Sequence, residues 1–279
     1  MKNVTAGIIA LIVALSLCAC SGRNGTSGAQ DTEPSWHYGT ESEERSQSYT
    51  DDDGTVIATT SYTLPRLSVL SEGMGAVPPE AQKACDTFNE EIRRTSFIGE
   101  GFFGDGEEPS DFSAMAREAH AWSAEMGMEF EPFFDEFSVS DVFQSAHMLS
   151  VFGLGSSFTG GAHPNNYFIV WNYDLDNGKF FGLNDLSDDP EALRAAVAEN
   201  ILGQINEQGL ADGYFEDYAA TIREAKEFSV MFRDSQELEV WFSEYEIAPH
   251  AAGMPNFTIP YPSIASYLNS YGRTLMDLA

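Results

Sequence analysis

Two short stretches hold the residues with which this chain could do chemistry. In Thr159-Gly160-Gly161-Ala162-His163-Pro164-Asn165, two glycines stand ahead of a histidine. Glycine lets a backbone approach a ligand closely, which would leave His163 as a base or a metal ligand. The plainer reading is a tight bend between two strands with His163 holding the corner, and it is preferred because a lone histidine is poor evidence for catalysis. The second stretch is Tyr245-Glu246-Ile247-Ala248-Pro249-His250-Ala251-Ala252-Gly253. His163, Glu246 and His250 together would make a two-histidine, one-carboxylate metal site, and so a hydrolase or metal-dependent enzyme acting on cell-wall polymers. The spacing matches no standard zinc motif, and sequence alone does not show that the two stretches converge. Gly160, Gly161, His163, Asn165, Tyr245, Glu246, Pro249, His250 and Gly253 are therefore carried as a candidate binding or structural motif, with no catalytic or metal assignment.

Other signals fail on inspection. Asp174-x-Asp176-Asn177-Gly178 resembles the start of a calcium loop, but glycine stands at the fifth position and no glutamate at the twelfth. Asn-Gly accepts the positive φ angles of a hairpin, which is the better reading. Gly153-Leu154-Gly155-Ser156-Ser157 lacks the Gly-x-Ser-x-Gly pattern of a nucleophile turn. With no phosphate-binding glycine loop and no cysteine–histidine cluster, no cofactor is expected. Cys85 shares an apolar helical face with Ala81, Phe88 and Ile92 and reads as a buried structural thiol.

The elements that must position these residues follow from periodicity. Strands are predicted at Thr55–Tyr62 and Arg66–Leu70, broken at Pro65. A helix follows from Pro79 to about Thr95, and then a loop over Gly99–Pro109. A second helix is capped by Ser110 or Asp111, with Phe112, Met115, Ala119, Trp122 and Met126 on one face. Extended runs at Phe134–Phe143, Ala146–Phe158, Asn166–Leu175 and Lys179–Leu183 imply an antiparallel sheet. Helices are predicted at Pro190–Glu207, where Leu193, Val197, Ile201 and Ile205 are helically spaced, and at Tyr214–Lys226. A hairpin (Phe228–Arg233 and Leu238–Tyr245), a strand (Phe257–Pro260) and a terminal helix (Ser263–Tyr271) close the chain. Strand runs separated by helices, without βαβ alternation, give an α+β fold of antiparallel sheets with flanking helices.

The N-terminus reads as a membrane anchor. Lys2 precedes an apolar stretch, Ala6 to Leu17, shorter than the ~18 residues of a spanning helix. It ends in Leu17-Cys18-Ala19-Cys20, a lipobox in which small Ala19 suits cleavage before Cys20. Residues 1–19 are thus a lipoprotein signal peptide and Cys20 the lipidated N-terminus, with stable attachment expected from more than one acyl chain. Residues 20–49 read as a flexible tether. A smaller N-terminal subdomain (50–158) and a larger C-terminal one (159–279) follow. The expected location is extracytoplasmic, on the cell membrane, or on an outer membrane where a second membrane exists.

The chain has 14 basic and 44 acidic residues and a formal net charge of −30; cleavage before Cys20 removes only one of the charged residues, Lys2. Such charge repels nucleic acid and favours cationic partners by steering.

Gly-Gly-Ala-His-Pro-Asn from Gly160, the run from Asn165 to Leu186, and Trp241–Ile264 with its Tyr-Glu-Ile-Ala-Pro turn resemble the C-terminal part of the RsiV-like ectodomain family. That family includes lysozyme-sensing anti-sigma factors and the non-catalytic N-terminal region of PdaC-type peptidoglycan deacetylases. Residues 50–158 resemble the smaller domain that commonly precedes it. No sigma-binding helix precedes the apolar segment and no deacetylase domain is present, so neither activity is expected. His250 departs from the aromatic residue often found after the proline. The resemblance implies protein binding: capture of a basic protein such as lysozyme, or of a cell-wall component such as peptidoglycan, by a lipid-anchored ectodomain.

Overall fold

The computed structural model describes residues 36–71, 76–97, 99, 112–209, 211–234 and 236–278. The expected signal peptide, the expected lipidation site Cys20, the expected tether up to residue 35 and the expected cap at Ser110 or Asp111 lie outside them. The described residues form nine strands and six α-helices in an α+β fold. No helix among them is long and apolar enough to cross a membrane.

The tether boundary at residue 49 needs correction, because Trp36–Thr50 is a strand, β1. Its sequence is polar without apolar alternation, so pairing rather than patterning makes it a strand. It runs antiparallel to β2 (Val56–Ser71), from Trp36 opposite Ser71 to Thr50 opposite Val56. The turn is closed by Asp51 N–H to Thr55 O at 2.9 Å. A charged outer strand is how natural sheets blunt an exposed edge.

Pro65 does not break β2, which corrects the expected interruption. β3 (Phe133–Gln144) pairs with β2, in parallel, only over Ala58–Thr63. Beyond that stretch the Asn89 side chain stands in for a strand: it accepts from Leu67 N–H at 2.9 Å and donates to Leu67 O at 2.8 Å. Pro65, two residues before Leu67, directs its ring nitrogen to the same side, where no ladder bond is lost.

β4 (Met148–Phe158), β5 (Asn165–Asp174) and the two-residue β6 (Lys179–Phe180) continue the sheet by antiparallel pairing, giving the order β1-β2-β3-β4-β5-β6. The sheet is antiparallel except at β2–β3. Two helices, α1 (Pro79–Arg94) and α2 (Phe112–Met126), intervene there, as a crossover between parallel strands requires. The expected Asp-Asn-Gly hairpin is present: Gly178 has φ +63°, and Asp174 Oδ1 accepts from the backbone of Asp176 and Asn177. The sheet runs straight through residue 158, so strands expected to begin the C-terminal unit complete the N-terminal sheet.

The remainder packs α3 (Pro190–Gln208) on a three-stranded antiparallel sheet, β7 (Ser229–Phe232), β8 (Glu237–Trp241) and β9 (Asn256–Pro260). Leu193, Val197, Ile201 and Ile205 all lie in this core. Asp189 caps α3 at Ala192 N–H, and Gly209, with φ +66°, ends it. Two expected helices are shorter. α4 is only Tyr218–Glu224, because Phe215 N–H bonds instead to Ile247 O at 3.0 Å. The terminal helix splits into α5 (Tyr261–Ile264) and α6 (Ser270–Leu275), where Asn269 turns to cap Gly272 N–H.

The two sheets are stitched by a buried polar network. Ser150 Oγ donates to Asn172 Oδ1 at 2.6 Å and accepts from Phe232 N–H at 3.0 Å, while Asn172 Nδ2 donates to Val230 O at 2.8 Å. β7's outward backbone groups are thereby satisfied by β4 and β5, as burial demands.

Candidate functional site

Backbone geometry presents the histidine segments to solvent. Between β4 and β5, Gly160 and Gly161 adopt φ +94° and +108°, angles that would strain any residue with a side chain. They turn the chain so that His163 lies exposed at the corner. Its Nδ1 is 2.8 Å from Pro164 O. A carbonyl only accepts, so Nδ1 carries the proton, and Nε2 faces the Tyr245 hydroxyl at 3.4 Å.

The second segment is anchored by buried Ile247 and Ala248. On one side of them Tyr245 takes the left-handed conformation, φ +64°, which swings its ring outward until the residue is 52% exposed. On the other side Pro249 leads a single 3-10 turn, His250–Ala252, closed by Gly253 N–H to His250 O at 2.8 Å. Gly253 has φ +68°.

The two segments converge. The His163 and His250 rings stack with centroids 3.9 Å apart and planes 15° from parallel. Tyr245 stacks on His250 at 5.7 Å. The three rings form one aromatic surface, assembled from stretches about eighty residues apart.

The carboxylate in this cluster is Glu244, which sequence reading missed, and not Glu246. Glu246 Oε2 accepts from Ser243 N–H at 2.8 Å and serves its own turn, so the alternative grouping of His163, Glu246 and His250 as a metal site does not form among the described residues. Glu244, whose side chain keeps 6% exposure, has Oε2 3.0 Å from His250 Nδ1, off the line of a well-aligned hydrogen bond. It also accepts from Asn166 N–H at 3.2 Å and Asn166 Nδ2 at 2.8 Å, capping the outer edge of β5. Burial pushes its pKa up, but the Asn166 hydrogen bonds and His250 outweigh this, and Glu244 is held below the ordinary carboxylate range. Asn165 merely pairs with Ser157 at the start of β5; Asn166 makes the contacts. Sequence offered two glutamates two residues apart and two adjacent asparagines, with nothing local to choose between them.

The imidazoles face one another as a stack, and their ring nitrogens do not converge on a common point. Among the described residues no group of three or more His, Cys, Asp or Glu is placed to hold a metal ion. What the surface can do is present ring faces and, behind them, a negative charge.

Fold and site thus define an α+β protein of two stitched sheets carrying an exposed aromatic surface backed by a carboxylate. Residues 184–262 match the family described as "Protein of unknown function (DUF3298)", a span that contains Glu244, Tyr245 and His250 but not His163. Among solved structures, a member of that family from Bacteroides fragilis aligns with a TM-score of 0.62 at 17% identity, over 88% of this chain and 99% of that one. A DUF3298 family protein from Pseudomonas aeruginosa aligns with a TM-score of 0.49 at 15% identity, over 84% and 95%. No curated protein matches the chain. The likeness to the Bacteroides structure is one of fold.

Proposed function

We propose that this chain is an extracytoplasmic lipoprotein, anchored through Cys20, whose ectodomain captures a cationic protein of the lysozyme kind. The observation that carries the reading is the exposed Tyr245–His250–His163 surface with Glu244 behind it. A lysine or arginine side chain is attracted by an aromatic face and by the carboxylate beneath. The net charge of −30 would steer a basic partner toward the ectodomain, raising the association rate more than the affinity. The resemblance to RsiV-like ectodomains supports the same class of partner.

The test is binding of the purified protein to a basic lysozyme at low and at physiological ionic strength. Micromolar or tighter binding that survives physiological salt is expected, with Tyr245→Ala weakening it about tenfold or more, the range of a central aromatic contact. Binding confined to low salt would reduce the interaction to unspecific charge attraction, and no binding at either salt would end the proposal.

A further inference from the structure

α1 covers one face of the six-stranded sheet, where Tyr62, Leu64, Phe137 and Tyr173 are buried. On the opposite face the strand register sets polar side chains in line. Ser46 lies opposite Ser61, Ser61 opposite Glu136, Glu136 opposite Ser156, and Ser156 opposite Asn166. Neighbouring strands are ~4.8 Å apart, so this row crosses five strands over about 19 Å. Beside it Thr63 and Ser138 form a second polar pair.

An open groove of about 410 Å³ lies on this face, lined by residues of both rows, by the apolar Phe137 and Leu154, and by Met254 from the loop that carries His250. The row ends at Asn166, which is bonded to Glu244, and so leads directly to the Tyr245, His250 and His163 rings.

The chemistry of the row selects its occupant. It contains no lysine or arginine, and an anionic ligand would meet Glu136 without compensation. An apolar ligand would strip water from hydroxyls that, at Ser61, Thr63, Ser138 and Ser156, have no hydrogen-bond partner among the described residues, which is costly. A chain of sugars offers hydroxyls and amides at regular intervals, able to replace that water both as donor and as acceptor. At the end of the row an exposed tyrosine supplies the flat face on which a sugar ring can rest.

We infer that this polar row is a binding track for a linear, uncharged polysaccharide, laid across the strands with its terminal ring toward Tyr245. The track shares Tyr245 with lysozyme capture, but Ser61 and Glu136 lie along the row away from the imidazoles, so substitutions there test the track by itself. The test is calorimetric titration of the protein at physiological salt with a hexamer of N-acetylglucosamine, a hexamer of glucose, and an anionic galacturonate hexamer. Binding of at least one uncharged hexamer with a Kd of about 1 mM or tighter is expected, with the matching dimer weaker and the anionic hexamer not bound. Ser61→Leu and Glu136→Gln, both at exposed positions that leave the melting temperature unchanged, should each weaken the uncharged hexamer about tenfold. Failure of both uncharged hexamers to bind overturns the inference, as does binding that neither substitution affects. Lysozyme capture unchanged in Ser61→Leu would keep the two readings separate.

Discussion

Helices α1 and α2 are nearly the same length, 16 and 15 residues, and both lie against β2. They are held in different ways. α1 buries Ala81, Ala84, Cys85, Phe88 and Ile92 against Tyr62, Phe137 and Tyr173. Three specific hydrogen bonds pin it: two between the Asn89 side chain and the backbone groups of Leu67, and one from the Tyr173 hydroxyl to Ala84 O at 2.7 Å. α2 buries Phe112, Ala116 and Ser123 and packs on a small cluster of Ile57, Ala58 and Phe133. It is also tied to a carboxylate: His120 Nδ1 lies 2.8 Å and Arg117 Nε 3.6 Å from Asp51 in the β1–β2 turn. Met115, Trp122 and Met126 face outward, Trp122 with 54% of its surface exposed. An apolar stripe shows that a helix is amphipathic; the surface offered to it decides which face is covered. Large aromatics on the sheet receive the full stripe of α1, whereas the cluster under α2 is limited to Ile57, Ala58 and Phe133, and the helix buries only Phe112, Ala116 and Ser123.

The difference should appear first in stability. Phe88→Ala removes a ring fully buried between Tyr173 and Phe180 and should cost about 3–5 kcal/mol in chemical denaturation. A cost below about 1 kcal/mol would mean that α1 is no better packed than α2. Asn89→Ala should cost about 1–3 kcal/mol, because it leaves the Leu67 N–H and C=O without their partner. The Cys85 thiol, which burial and the Asp86 charge push up to about 11, should resist alkylation at neutral pH until the protein unfolds. Rapid labelling of native protein would show that α1 opens.

Between the two helices the chain touches the sheet at Gly99, whose N–H donates to Asp135 Oδ2 at 2.8 Å; Tyr62 and Tyr167 hydroxyls donate to the same carboxylate. Burial raises the Asp135 pKa above its ordinary 3.8 and these bonds only partly offset it. Its contribution to stability is therefore full below the unfolded value and is lost as pH rises through the folded one. Glu244 has the opposite sign: held below its ordinary 4.5, it contributes above that value and loses the contribution as pH falls through the folded pKa. Melting temperatures between pH 3 and 7 should show Asp135→Asn gaining on the native sequence as pH rises and Glu244→Gln falling behind it. Slopes of the same sign would disprove one of the two assignments.

Most of the α+β plan could be read from periodicity, because long apolar patterns such as Leu193–Ile205 and turn chemistry such as Asp176-Asn177-Gly178 are local. The elements that escaped are those made by partners distant in sequence. β1 has no pattern of its own and exists by pairing with β2. Pro65 is tolerated because β3 stops pairing with β2 before it, at Thr63 opposite Ser138, and Asn89 finishes the edge that β3 leaves. The candidate site divides in the same way. His163, Tyr245 and His250 stood out by residue type and flanking glycines, but their convergence, and the choice of Glu244 and Asn166 over Glu246 and Asn165, depend on how β5 lies beside the 243–253 turn. The polar row is visible only once the register of five strands is known, since Ser46, Ser61, Glu136, Ser156 and Asn166 are individually ordinary surface residues.

The smallest expected effect sharpens the comparison most. Trp122 sits on the stripe of α2 that helical spacing marks as apolar, and Phe88 on the corresponding stripe of α1. If amphipathic spacing alone fixed burial, Trp122→Ser would cost several kcal/mol, in the range of large-to-small core substitutions. With its ring half in water and outside the buried core clusters, the substitution should stay within about 0.5 kcal/mol, as surface changes do. Its indole, unlike Trp171 in the α1 core, should be quenched readily by acrylamide in the native protein, so the quenched fraction should drop when Trp122 is removed. A cost above about 1 kcal/mol, together with an indole shielded from the quencher, would show that something covers this face of α2, and the contrast between the two helices would then disappear.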